Sequence, residues 1–204
     1  LLKEENSKLK SQINHLLQLN KYSAIKITNV PSNEGENLFT IIEKICNFIE
    51  FKINKDFIED CYRLRIRNTQ HLAPIILKFV KDSDKREFLK LKKLKHEQLN
   101  TEIVLNLKPK KTIYISEFMS PENNRLFKEA REFRAKNKLK YVWFKNNSLF
   151  VRETEQSSPI LINSSLELKK LVTHNLEAQD IEITDYEEPD TDLSGKESVT
   201  SQTS

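Results

Sequence analysis

The run from Lys111 to Arg152, KTIYISEFMSPENNRLFKEAREFRAKNKLKYVWFKNNSLFVR, leaves little freedom in how this chain can fold. Ile113 and Ile115 alternate with Tyr114 and Ser116, the period of a strand with one buried face. Ser120-Pro121 marks a helix start, a capping hydroxyl followed by proline at the first helical position. Leu126, Ala130 and Phe133 then recur at helical spacing. Beside that stripe Phe127, Arg131, Arg134 and Lys138 fall four, three and four residues apart, so they share a second face of the helix. Lys140-Tyr141-Val142-Trp143-Phe144 and Leu149-Phe150-Val151 read as two short strands around the turn residues Asn146-Asn147. The run thus reads as strand, helix and hairpin in this order.

The same run is cationic. From Arg125 to Arg152 there are nine Lys/Arg against two Glu, with Phe127, Phe133, Tyr141, Trp143, Phe144 and Phe150 interleaved. A neutral solvated face mixes its signs, and this one does not. Cations that pair with phosphates, beside rings on which unstacked bases can lie, make a surface suited to single-stranded nucleic acid. Most of the rings are expected in the core. Arg125, Phe127, Arg131, Arg134, Lys138, Lys140, Tyr141, Lys145 and Arg152 are the candidate contacts of this unit.

Charge is distributed unevenly over the 204 residues. The net value is +4, but positions 174–204 hold nine Asp/Glu and one Lys, leaving the remainder with 33 basic against 21 acidic residues. A basic body with an acidic tail suits a polyanion binder. Cys46 and Cys61 stand alone, which points to a reducing compartment, cytoplasm or nucleus. Neither they nor the scattered His15, His71, His96 and His174 make a zinc spacing. There is no secretory signal in the sequence and no apolar run of membrane-spanning length. Gly35 and Gly195 are the only glycines, so no phosphate-cradling loop exists, and no nucleophile–base set or paired-metal carboxylate group is suggested. The expectation is a protein that is not an enzyme, with no cofactor, no metal and no small-molecule substrate.

Residues 1–21 read as the end of a coiled coil. Leu2, Leu9 and Leu16 occupy one heptad position, and Asn6, Ile13 and Asn20 fall four residues after each. Under three heptads is too short to hold alone, so the coil is expected to continue upstream and to pair the chain with itself through Leu2, Asn6, Leu9, Ile13 and Leu16, as a dimer or a trimer. A solitary capping helix is the plainer alternative.

Residues 22–119 read as βαββαβ. Strands are expected at Ala24–Val30, Ile58–Arg65, Pro74–Val80 and Lys111–Met119. A helical stripe runs through Leu38, Ile41, Ile42, Ile45 and Ile49, and a second helix is expected from an Asp82-Ser83 cap to about Lys93. Two helices on one face of an antiparallel sheet is the topology of the RNA-recognition motif (RRM), which makes the chain α+β. If the helices cover Ile25, Ile27, Tyr62, Leu64, Ile75, Leu77, Phe79, Ile113 and Ile115, period two leaves Lys26, Thr28, Arg63, Arg65, Ile76, Lys78, Val80 and Tyr114 on the open face. An ordinary RRM carries stacking aromatics on its central strands, where this chain has Lys26 and Lys78. That difference favours backbone binding over base reading. Lys85, Arg86, Lys90 and Lys93 on the second helix, with Lys110 and Lys111 in the loop after it, add cations.

Residues 120–173 form the second, α/β unit, completed by a short strand at Ile160–Ile162 and a closing helix through Leu166, Leu168, Leu171 and Val172. Residues 174–204 are acidic and Ser/Thr-rich with few large apolar side chains. They are expected to be a disordered tail, able to compete with nucleic acid for the basic body.

The order ITNVP…ENL, CYRLR…PIILKF, IYISEFMSPENNRLFKEAR, YVWFKNNSLFVR, SPILINSSLELKKL resembles the baculovirus few-polyhedra (FP) protein family and its relatives in insect non-LTR retrotransposons. The likeness spans roughly residues 22–173 and is most specific from Ile113 to Leu171. The layout is also similar to the LINE-type first-ORF protein, a nucleic-acid chaperone. The resemblance implies that the coil oligomerises the chain and that the two folded units grip single-stranded nucleic acid between them. Insect members often carry a zinc-binding finger upstream. The expected partners are therefore RNA or single-stranded DNA and further copies of the chain. The alternative is a viral or host assembly protein that uses its basic surface for protein or membrane contacts.

Overall fold

The computed structural model describes residues 2–65, 72–136 and 139–171. An N-terminal helix α1 (Leu2–Leu19) leads into strand β1 (Ala24–Thr28) and helix α2 (Leu38–Ile49). Strands β2 (Ile58–Arg63) and β3 (Ile75–Phe79), helix α3 (Asp82–Leu94), a one-turn helix α4 (Thr101–Leu105) and strand β4 (Tyr114–Glu117) follow. The antiparallel sheet runs in the order β2-β3-β1-β4. Ile25, Ile27, Ile75, Leu77, Phe79 and Ile115 point to one face and are closed over by Ile42, Ile45 and Ile49 of α2 and Phe88 of α3. Phe51, Phe79 and Phe88 meet edge-on or tilted at 5.4–6.2 Å, the geometry that ring quadrupoles favour.

Helix α2 starts and stops for local reasons. The Asn37 side chain accepts from the amides of Phe39 and Thr40, and Glu50 closes the far end in the left-handed conformation. Helix α3 corrects one expectation: it begins at Asp82, and Lys81 precedes it with no side-chain cap. The four strands expected for this sheet are each shorter than expected, most of all the last, which begins at Tyr114 and not Lys111. Helix α4 has no sequence signal beyond Asn100, whose side chain caps it.

The inward face of β2 is the larger correction. Tyr62 and Leu64 are expected to be covered by the helices, with Arg63 open. The ladder to β3 instead slips between Ile58 and Asp60. Ile58 pairs with core-facing Phe79, but the added residue turns every later side chain over, so that Cys61 and Arg63 face inward and Tyr62 outward. On the open face Ile76 is buried, flanked in register by Tyr62 and Lys26.

The second unit comprises α5 (Pro121–Ala135), a sheet in the order β5-β6-β7 and a helical segment at 165–171. Its strands are β5 (Tyr141–Lys145), β6 (Ser148–Arg152) and β7 (Ile160–Ile162). Ser120 caps α5 by accepting from the Asn123 amide, and Pro121 occupies the first turn, as the sequence leads one to expect. Asn146 and Asn147 both have positive φ, the turn whose twist matches a two-residue hairpin. Leu126 and Ala130 of α5 pack on Leu149, Val151, Ile162 and Leu168. The chain is thus mixed helices and antiparallel sheets, α+β, with a small C-terminal sheet. Val172 and residues 174–204 lie outside the described residues.

Candidate nucleic-acid interface

The two units and α1 meet at a buried amide. Gln18, 4% exposed, donates from Nε2 to Phe118 O (3.0 Å) and Asn147 Oδ1 (2.8 Å). Its Oε1 accepts from Ser120 N (2.7 Å) and Asn123 Nδ2 (3.0 Å). All four hydrogen-bonding positions of the amide are filled, which a buried polar group requires. One turn earlier Asn14 donates to Asn123 Oδ1 and accepts from the Ser120 hydroxyl. Glu117 adds a third tie, its two oxygens each accepting one hairpin-turn amide, Asn146 and Asn147, at 3.0 Å. The helix, the sheet and the hairpin are held in one arrangement.

A cleft of about 350 Å³ opens beside this junction. Lys26 and Ser116 come to it from the open face of the first sheet, Lys21 from the segment after α1, and Asn124 from the second turn of α5. Tyr114, 60% exposed, lies one pleat along β4 from Ser116 on the same face. From Asn124 the helix periodicity carries the surface on to Lys128 and Arg131, with Phe127 and Arg134 on the flank. The Arg131 guanidinium stands 6.0 Å from the Phe127 ring, within cation–π range. The basic face of α5 therefore begins at the cleft that the sheet lysine lines.

Two expected contacts are committed elsewhere. Arg63 faces the sheet margin, where it donates to the Val30, Pro31 and Ala73 carbonyls and pairs with Glu36. Lys85 is 1% exposed: it donates to Tyr22 O, pairs with Asp82 at 2.8 Å, lies 4.0 Å from Glu117 and stands 4.9 Å from the Tyr22 ring. Neither presents a cation to solvent. Lys78 does lie on the open face but is paired with Glu59 at 2.6 Å.

The other candidates divide. Arg86, Lys90 and Lys93 occupy the outer side of α3, and the whole sheet separates them from Lys26 and Tyr114. Arg86 also pairs with Asp82. Arg125 turns toward Glu122, Glu129 and Ser165 and holds the Glu122 carboxyl below its ordinary range. Lys110 and Lys111 are exposed on the approach to β4, and Arg65 just beyond β2. Lys138 lies outside the described residues. The single cationic groove expected from the sequence is thus reduced to the Lys21, Lys26, Lys128 and Arg131 side. Lys21 and Lys128 belong to it and were not among the sequence candidates. Lys21 sits in a short linker that no periodicity describes, whereas the four-residue step from Asn124 to Lys128 could have found the latter.

The C-terminal sheet has a second face, turned away from α5. Trp143 and Phe150 stack across the strands at 5.7 Å and 17°, next to Leu161, which is 46% exposed. Tyr141 and Arg152 pair in register beside them, and Lys145 ends the row. Glu155 gathers the Tyr141 hydroxyl and the Lys140 ammonium, so part of this rim is neutralised.

Burial pushes the Cys46 thiol up to about 12 and Cys61 up to about 11, so neither supplies a thiolate near neutrality. Among the described residues no group of three or more His, Cys, Asp or Glu could hold a metal ion, and no helix is long and apolar enough to cross a membrane.

A helix-backed three-stranded antiparallel unit that begins at the Ser120 cap is thus joined to a four-stranded α+β body. Residues 120–172 of the chain match the family Baculovirus FP protein domain 2, which bears out the resemblance to baculovirus FP proteins over this unit. No curated protein matches the chain.

The burial of Lys85 has a direct consequence. Lys85→Ala leaves the Tyr22 carbonyl without its donor and Asp82 paired only with the exposed Arg86, and should cost about 1–3 kcal/mol in urea-unfolding free energy, as for a buried acceptor left without its partner. An unchanged midpoint would show the ammonium to be dispensable to the fold.

Proposed function

We propose that this chain is a non-enzymatic protein that binds single-stranded nucleic acid, RNA or DNA, as an oligomer with a chaperone-like role of the retrotransposon or viral FP type. The observation that carries the reading is the shared cleft: Lys26 of the sheet and Asn124 of α5 line one opening, and the basic face of α5 continues from it. Backbone phosphates tracked by cations, with rings nearby, are what sequence-tolerant strand binding requires.

Two further features support it. The strand order β2-β3-β1-β4, with two helices on one face, corresponds to an RRM-like domain. Its stacking positions are altered, because the central strands offer Lys26, Ile76 and Lys78 while the exposed rings, Tyr62 and Tyr114, lie on the edge strands. That suits backbone binding with weak base preference. On α1, Leu2, Leu9, Ile13 and Leu16 form an exposed stripe, while Asn14 and Gln18 on the opposite side are docked to the body. A heptad seam turned outward supports self-association as a coiled coil. Leu9→Lys with Ile13→Lys should then lower the sedimentation-derived mass to that of a monomer, and a mass unchanged by this pair would remove the coil. Two free cysteines suit the cytoplasm or nucleus, the compartments this reading implies.

A second reading, a structural or assembly protein, is favoured by the Trp143–Phe150 face, which could meet a protein partner. Protein purified at low salt with an absorbance ratio free of nucleic acid would favour it.

Titration of single- and double-stranded oligonucleotides at two salt levels tests the main reading. Neutralising about six phosphates predicts a log–log salt slope near −4 on a single strand. Lys128→Glu with Arg131→Glu should weaken all sequences alike and flatten the slope. Arg86→Glu with Lys90→Glu, on the far side of the sheet, should change affinity by no more than about twofold, because screening limits charge effects at that distance. Binding that is insensitive to salt would sink the proposal.

A further inference from the structure

We infer that the cleft at the junction is a binding pocket for one unstacked nucleobase of a single strand, and not only a gap between two basic surfaces. The inference rests on the nucleic-acid reading above and assigns a site within it.

The lining carries the argument. Leu64, Phe118 and Met119 give the cleft apolar surface that a phosphate has no use for. Its volume, about 350 Å³, lies at the small end of organic-ligand sites, which run from about 300 to 1,000 Å³. At the walls the Ser116 hydroxyl and the Asn124 side-chain carboxamide have no hydrogen-bond partner among the described residues. Between them they offer donors and acceptors to the edge of a planar heterocycle. Lys21 and Lys26 line it as well, together with Glu117, whose two oxygens are taken by the hairpin amides. Lys21 Nζ is 4.8 Å from the centre of the Phe118 ring, and Lys26 rises from β1; neither has a carboxylate partner among the described residues.

A flat apolar body with polar edges, flanked on both sides by anions, is the description of a nucleotide within a strand. An acidic peptide would satisfy the lysines but leave the apolar surface uncovered, and an apolar side chain would leave the lysines without anions. The pocket is also rigid enough to select a shape. Phe118 O is held by Gln18, Ser120 N by the same amide, and Phe118 N by Ala24 O, so the apolar segment cannot slide along the sheet.

The test separates base from phosphate. The probes are an abasic phosphodiester strand of about 12 nucleotides, within the site sizes of single-strand binders, and the same strand with one 2-aminopurine at its centre. The single base should tighten binding about tenfold, the effect of one stacked base, and its fluorescence should change on binding. Ser116→Phe, which fills the pocket from an exposed strand position, should abolish the gain, so that the variant binds the two strands alike. Asn124→Leu, on the solvent side of α5, gives an independent variant and should reduce the same gain. Equal, salt-sensitive affinity for both strands would overturn the pocket while leaving the nucleic-acid reading intact. A gain that survives both substitutions would put the base elsewhere and also overturn it. No binding of either strand at low salt would remove both.

Discussion

The buried amide of Gln18 is the contact on which the arrangement of this molecule depends. It joins three pieces that have no continuous apolar core between them: α1, the Phe118–Ser120 connection and the tip of the hairpin. Each unit has its own cluster of buried side chains. Their mutual orientation is instead set by hydrogen bonds, and such bonds are directional where apolar contact is not. Glu117 works in the same sense, holding the two hairpin amides while Lys85 balances its charge from the other side. A buried polar network of this kind contributes more to fixing one geometry than to net stability.

That geometry decides which cations can act together. Counted along the chain, the basic residues of α3, α5 and the loop before β4 look like one population. In three dimensions the sheet divides them. Lys85 is drawn into the junction, Arg63 into the margin of the sheet, and the rest of α3 faces away. What remains on the cleft side is small, but it is continuous from the sheet to the helix and is accompanied by Phe118, Phe127 and Tyr114. Field strength falls within about a Debye length, so a few aligned charges matter more to a strand than a larger number dispersed around the body.

Much of the fold could be read from the chain because its signals were local. The Ser120-Pro121 start, the Asn146-Asn147 turn and the stripe from Leu38 to Ile49 each determine structure over a few residues. The failures were of another kind. One additional residue near Glu59 inverts the later part of β2, and nothing at that position announces it, so Tyr62 and Arg63 exchange faces. Lys85 looks the same in the sequence whether it is solvated or buried, and only the neighbouring Tyr22, Asp82 and Glu117 determine which. Gln18 likewise reads as an ordinary outer position of a heptad until the body is placed against it. The candidate site was therefore legible as composition and not as location.

The most direct measurement is photo-crosslinking of a single strand to the whole protein, with the modified residues identified by mass spectrometry. If the strand runs through the junction, adducts concentrate at Lys21–Lys26, Tyr114–Asn124 and Phe127–Arg134. Adducts confined to the outer side of α3, around Arg86–Lys93, would contradict the account.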